Sequence, residues 1–181
     1  MKSDTIAAIA TALSDAGIGI IRISGPEAIA VANRVVVNKK KEHTLKNWQT
    51  HTIHYGFVEE NGTILDEVMV SVMKAPRSYT TEDTVEINCH GGVLLTKRVL
   101  EAVLHAGARM AEPGEFTKRA FLSGRIDLSE AEAVMDLIQA KNQFSMQAAI
   151  KKLRGSAAEK VKSLRAALLY EIAFIESALD D

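Results

Sequence analysis

Over roughly the first 115 residues, apolar positions come in short runs separated by glycines and polar turns. "DTIAAIAT" (4–11) and "GIGIIRIS" (17–24) are nearly continuous apolar runs of strand length and read as buried strands. "GPEAIAVANRVV" (25–36) changes to helical spacing, with Pro26 near the first turn, where its fixed φ suits a helix. "VVNKKKEHTLKNWQ" (36–49) is polar and charged and is expected to be a solvated loop. Residues 51–75 read as two strands joined at Asn61-Gly62, a pair that accepts the positive φ of a tight hairpin turn. "DTVEINC" (83–89) is a further strand that meets His90-Gly91-Gly92. "VLLTKRVLEAVLHAGA" (93–108) then has the period of an amphipathic helix ending near Gly107.

Beyond about residue 115 the pattern turns helical to the end. Ser129 with Glu132 three residues on has the form of a capping box; Asn142 and Ser156 are further caps, and Gly155 is a break. In the last segment Val161, Leu164, Leu168, Ile172, Ile175 and Leu179 share one stripe, yet between 166 and 179 only Glu171 and Glu176 are charged. A helix so apolar around its circumference needs burial on several sides. Residues 129–181 are therefore expected to be part of a helical bundle completed by further sequence or another subunit. The fold class is α+β over residues 1–118, followed by an all-α helical-bundle segment over 119–181.

Composition narrows the setting. The 181 residues carry 22 Lys+Arg and 23 Asp+Glu, so a net charge of −1 gives no global basic field for nonspecific nucleic-acid binding. The single Cys cannot form an internal disulfide, which fits a reducing cytoplasm. Asp4 and Asp15 flank the short apolar N-terminal stretch, unlike a signal peptide. No run approaches the roughly 18 apolar residues of a membrane helix. A cytoplasmic chain with no membrane partner is expected, and the "NGT" at 61–63 is then no glycosylation site.

Among chemical candidates, Cys89 and His90 are adjacent on a strand and point to opposite faces, which opposes a Cys–His dyad. Alternation puts Val85, Ile87 and Cys89 on one face and Glu86, Asn88 and His90 on the other. A carboxylate inside an apolar-flanked strand is costly unless something hydrogen-bonds to it, so the second face draws attention. His51 and His54 are three apart, a poor spacing for shared metal ligation from a strand, and further Cys or His partners are missing. "GIGIIRISG" matches a dinucleotide fingerprint only at Gly17 and Gly19, and no phosphate-cradling P-loop occurs. Lys39–Lys41 read as part of a solvated loop. In "PGEFTKRAF" (113–121), Pro113-Gly114 makes a turn and Glu115 falls in the first turn of a helix, favourable against its dipole, with Lys118, Arg119 and Arg125 near it in sequence.

With "GIGIIRISGPEA", "APRSYTTEDTVEINCHGG" and "GARMAEPGEFTKRAFLSGRIDLSEAEAVMDLI" in view, the chain resembles the tRNA-modification GTPase family MnmE (TrmE) along essentially its whole length. The resemblance implies an N-terminal α+β domain similar to the folate-binding part of aminomethyltransferases, which binds a tetrahydrofolate derivative (5-formyl or 5,10-methylene) and forms a homodimer. It implies that folate contacts fall on Arg22, Glu86 and Arg125, with His90, Asn88 and Glu115 as weaker positioning candidates. GTP, K+ and Mg2+ would belong to a G domain that this sequence lacks, so the chain is expected to be a fragment without catalysis of its own. With the flavoprotein MnmG (GidA), such a protein would install an aminomethyl or carboxymethylaminomethyl group on the wobble uridine of tRNA. The loop 12–16 departs from the family's usual Pro/Gly-rich form. The alternative reading, a structural dimerisation fragment that no longer binds folate, rests on that loop.

Overall fold

The computed structural model describes residues 4–179, and within the last helix it gives no side-chain placement for 156–158, 173 and 175–179. Residues up to Ala120 and residues from Phe121 onward form two compact units.

The first unit is a seven-stranded sheet in the order β3-β4-β5-β6-β2-β1-β7. Its strands are β1 (Ile6–Ile9), β2 (Gly19–Ser24), β3 (Val36–Val37), β4 (Thr52–Glu60), β5 (Thr63–Met73), β6 (Thr84–Cys89) and β7 (Arg109–Met110). All neighbours are antiparallel except β1 and β7. Helices α1 (Ala28–Val35) and α2 (Val93–His105) cover one face. They bury Val31, Val35, Val99 and Val103 against Ile21, Ile23, Val70, Val72, Val85 and Ile87, which form one apolar core. The β4–β5 turn is the expected Asn61-Gly62, with both residues at positive φ (52° and 79°), the geometry that matches strand twist in a two-residue hairpin.

The segment 36–49 differs from the expected solvated loop. Val36 and Val37 form β3 on the sheet edge, and Leu45, in a single 3-10 turn (Leu45–Asn47), is fully buried in the core. Four apolar residues, Val36, Val37, Leu45 and the partly buried Trp48, scattered among ten polar ones leave no period for a pattern to reveal. The lysines of this segment, Lys39–Lys41 and Lys46, are exposed.

Helix α3 (Glu115–Leu122) spans the junction of the units. The second unit contains α4 (Leu128–Gln139), α5 (Gln143–Leu153) and α6 (Ser156–Leu179). The start of α4 corrects the expected cap. Asp127, not Ser129, is the N-cap: its carboxylate accepts from the Glu130 N–H at 2.7 Å, and Glu130 accepts from the Asp127 N–H at 2.8 Å. Asn142 caps α5 as expected, accepting from the Ser145 N–H at 2.8 Å, and Gly155 takes φ 72° at the break before α6. On α6, Val161, Leu164, Leu168 and Ile172 are each at least half exposed. The expected cap Ser156 and the stripe residues Ile175 and Leu179 have side chains outside the described residues.

Candidate functional site

The face of the sheet opposite α1 and α2 carries the polar candidates. In β6, Val85, Ile87 and Cys89 are buried while Glu86 and Asn88 are only partly covered, the alternation expected from a period of two. Register places Glu86 opposite Arg22 of β2 and Ser71 of β5. Arg22 Nε donates to Glu86 Oε1 at 3.0 Å, with side chains 31% and 23% exposed. This answers the cost of a carboxylate within an apolar strand, because a guanidinium directly across the ladder hydrogen-bonds to it. Among the described residues, the Nη groups of Arg22 and Oε2 of Glu86 have no protein hydrogen-bond partner. Phe116, in the first turn of α3, places its ring centroid 5.5 Å from the Arg22 guanidinium carbon, within cation–π reach. The result is a half-covered donor–acceptor pair beside an aromatic ring.

Arg125 is the third sequence candidate. It lies in the second unit, exposed, on the turn between Gly124 (φ 76°) and the buried Ile126 that leads into α4. The structure thus brings Arg22 and Glu86 into direct contact within the first unit, and Arg125 is described within its own unit.

Glu115 stands in the first turn of α3 and pairs with Arg119, as its sequence neighbours suggested, and it gains a second guanidinium, Arg109, from β7. It is 8% exposed and accepts from Arg109 Nη2 at 2.8 Å, Arg119 Nη2 at 3.2 Å and the Glu112 N–H at 2.9 Å. Arg119 also donates to Glu82 at 3.1 Å, and Asp4 accepts from both arginines. The hydrogen bond from Arg109 is the chief cause holding the Glu115 carboxyl down to about 2, and the same guanidinium lowers Asp4 to about 2. This network fastens the start of α3 to β7 and to the residues preceding β1. It was illegible in sequence because Asp4 and Arg109 stand 105 positions apart.

The chemistry of "NCHGG" divides as alternation requires. Cys89 is 3% exposed, its Sγ lies 3.3 Å from the Gly19 carbonyl oxygen, and burial pushes its thiol pKa up, away from a reactive thiolate. His90 is exposed and bound to Asp66. Gly91 has a steric role: a Cβ there would sit 2.3 Å from the Ala16 carbonyl oxygen, so the 16–18 loop packs directly on its backbone. His51, just before β4, and His54, within it, take different partners. His51 contacts the Thr50 hydroxyl at 2.7 Å, and His54 stacks on Trp48 with ring centroids 3.7 Å apart. Among the described residues no group of three His, Cys, Asp or Glu side chains is placed to hold a metal ion, and no helix is long and apolar enough to cross a membrane.

An α+β sheet domain, with a partly exposed Arg–Glu pair on the sheet face opposite α1 and α2, is followed in the chain by a helical unit. Residues 5–125 match the family model described as the GTP-binding protein TrmE N-terminus, and residues 128–181 match that of the MnmE helical domain. The chain is 58% identical over 181 residues to the tRNA modification GTPase MnmE of Lachnoclostridium phytofermentans, covering 100% of this chain and 40% of that protein. It is 52% identical over 180 residues to the protein of that name from Listeria welshimeri, and 51% over 182 residues to that from Carboxydothermus hydrogenoformans, covering 99% of this chain and 39% of each relative. The chain belongs to the MnmE (TrmE) family of tRNA modification GTPases, and it spans about 40% of the length of these relatives.

Proposed function

We propose that the chain is the folate-binding and dimerisation part of a tRNA modification GTPase, with Arg22, Glu86 and Arg125 as ligand contacts. The observation that carries this reading is the Arg22–Glu86 pair, which offers guanidinium donors and a carboxylate acceptor side by side. A pterin presents adjacent N–H donors next to a carbonyl oxygen, the complement of that arrangement. The Phe116 ring beside Arg22 supplies an apolar wall for a flat heterocycle. Arg125 would take formyl or glutamyl oxygens of a 5-formyl or 5,10-methylene tetrahydrofolate.

In the complete protein, two copies pair through this N-terminal domain, and GTP, K+ and Mg2+ bind a G domain outside this chain. Together with the flavoprotein MnmG (GidA), it modifies the wobble uridine of tRNA in the cytoplasm, the folate supplying one carbon. Isothermal calorimetry with 5-formyltetrahydrofolate tests the site: the wild-type chain is expected to bind. Glu86→Ala, losing a charge-assisted hydrogen bond of about 2 kcal/mol, should weaken binding some thirtyfold. Equal affinity in the variant would overturn the assignment. Absence of binding by a folded wild-type dimer would favour the structural dimerisation reading instead.

A further inference from the structure

The overall charge of −1 conceals a segregation along the chain. Between Asp136 and Glu171 the only acid is Glu159, set against seven cations. Lys141, Lys151, Lys152 and Arg154 lie on or beside α5, and Lys160, Lys162 and Arg165 lie on α6. The stretch carries +6, which leaves −7 for the remainder of the chain. All seven cations are exposed. Among the described residues Lys152 pairs with Asp136 at 3.2 Å, whereas Lys141, Arg154, Lys160, Lys162 and Arg165 make no ion pair. Three of the four acids of α4 and its cap are already engaged, Asp127 and Glu130 in the reciprocal cap and Asp136 with Lys152.

Helix stability accounts for part of this charge and not for the rest. Lys151, Lys152 and Arg154 close α5, where the negative end of a helix dipole favours cations. Lys160, Lys162 and Arg165 fall within the first ten residues of α6, near the end where the dipole favours anions, so no dipole interaction explains them. Gly155 joins the two helices closely. Its N–H donates to the Lys152 carbonyl and its own carbonyl accepts from the Glu159 N–H, so the basic end of α5 and the basic start of α6 are one turn apart. Lys162 and Arg165, three apart, stand side by side on one flank of the apolar stripe of α6, off the face that a covering helix would take.

An exposed basic surface with few acids fits a polyanion, and the adjoining groups favour RNA. Lys152 also lines a cavity of about 510 Å³ with Asp136, Lys141, Asn142, Phe144 and Ser145. Phe144 is 83% exposed. An exposed aromatic ring among lysines is the arrangement that stacks an unpaired base while the cations hold its phosphates. An acidic peptide would use the cations and leave the ring without a partner.

We propose that the α5–α6 turn, with Phe144 beside it, is an RNA-binding surface: the cations take backbone phosphates and the ring takes an unpaired base. It uses none of the folate contacts, and the choice of RNA rests on the reading of the complete protein above as one that acts on tRNA. Fluorescence anisotropy of a labelled tRNA anticodon stem-loop, titrated with the whole chain across a series of KCl concentrations, tests it. Wild type should bind with a Kd on the order of 10 µM in dilute salt. Its log affinity should fall against log salt with a slope of about −3, as for about four phosphates of a single strand. Lys160→Gln, Lys162→Gln and Arg165→Gln together, with the fold checked by circular dichroism, should remove about 2 from that slope and weaken binding by about tenfold or more. Phe144→Ala should weaken binding about tenfold at unchanged slope. Lys39→Gln, Lys40→Gln and Lys41→Gln together, an equal loss of charge in the first unit, should leave the slope as it is. RNA bound by the α6 triple variant with wild-type affinity and slope overturns this surface and leaves the tRNA reading standing. Poly-glutamate bound as tightly as the stem-loop overturns the choice of RNA and keeps a surface for acidic partners. Unchanged affinity in Phe144→Ala overturns the base contact, and no binding by the folded wild-type chain in dilute salt overturns the proposal outright.

Discussion

At Glu115, Arg109 and Arg119 converge on one nearly buried carboxylate, and Asp4 bridges the same two guanidinium groups. Both carboxyls are lowered to about 2, so each binds fewer protons folded than unfolded at mildly acid pH. Their stabilisation is fully present above the ordinary carboxyl range and is lost as pH falls from about 4.5 toward 2. Glu115→Gln should cost about 2 kcal/mol at pH 7, discounted for the exposed partner Arg109, and should flatten the acid limb of the stability curve. Urea unfolding at pH 7, 4 and 3 measures both effects. A variant whose stability falls with acid as steeply as the wild type would show that the charge is not responsible. Residue-level reading of the sequence reached the faces of β6, because a period of two needs only local information. It could not reach this network, whose members are brought together by the β1–β7 pairing and the turn into α3.

At the scale of elements, α4 shows why a boundary can be misread when its type is clear. "DLSEAE" contains two overlapping capping patterns, Asp127-x-x-Glu130 and Ser129-x-x-Glu132. Both are chemically sound, but only one set of N–H groups is left open at a helix start, and the reciprocal bonds of Asp127 and Glu130 take it. Asp127→Ala should therefore destabilise the second unit by about 1 kcal/mol, whereas Ser129→Ala, already inside the first turn, should change it by only a few tenths. Circular-dichroism melts of the two variants decide between the caps, and equal losses would contradict the assignment. The β4–β5 hairpin needed no such arbitration, since Asn61-Gly62 is a local signal with a single geometric meaning. The edge strand β3 and the buried Leu45 had no local signal at all: they are held by long-range packing on the sheet and α1.

For the molecule as a whole, the distribution of buried apolar groups predicts unequal stability along the chain. The first unit closes a core of valines and isoleucines from β2, β5 and β6 under α1 and α2, many of them completely inaccessible. In the second unit the buried apolar side chains among the described residues are Ile126, Ala133 and Ala149, while Ile138, Phe144 and Val161 are more than 60% exposed. Burial at about 25 cal/mol per Å² cannot hold a 24-residue helix whose apolar stripe faces solvent, and an isolated helix of that length is marginal in water. Local opening free energies follow the burial that must be undone, so amide hydrogens should exchange at rates set by each unit's own core. Hydrogen exchange read by mass spectrometry on the dilute chain should find the slowest amides in β2, β5, β6 and α2. Those of α6 should exchange at least a hundredfold faster, corresponding to about 2.7 kcal/mol less protection. If α6 proves as protected as β6 in a monomeric sample, its stripe is covered within the chain and the unequal-core argument fails. Protection that rises in α6 only as the chain concentration is increased would place the missing cover on another molecule, the condition its apolar circumference already implied.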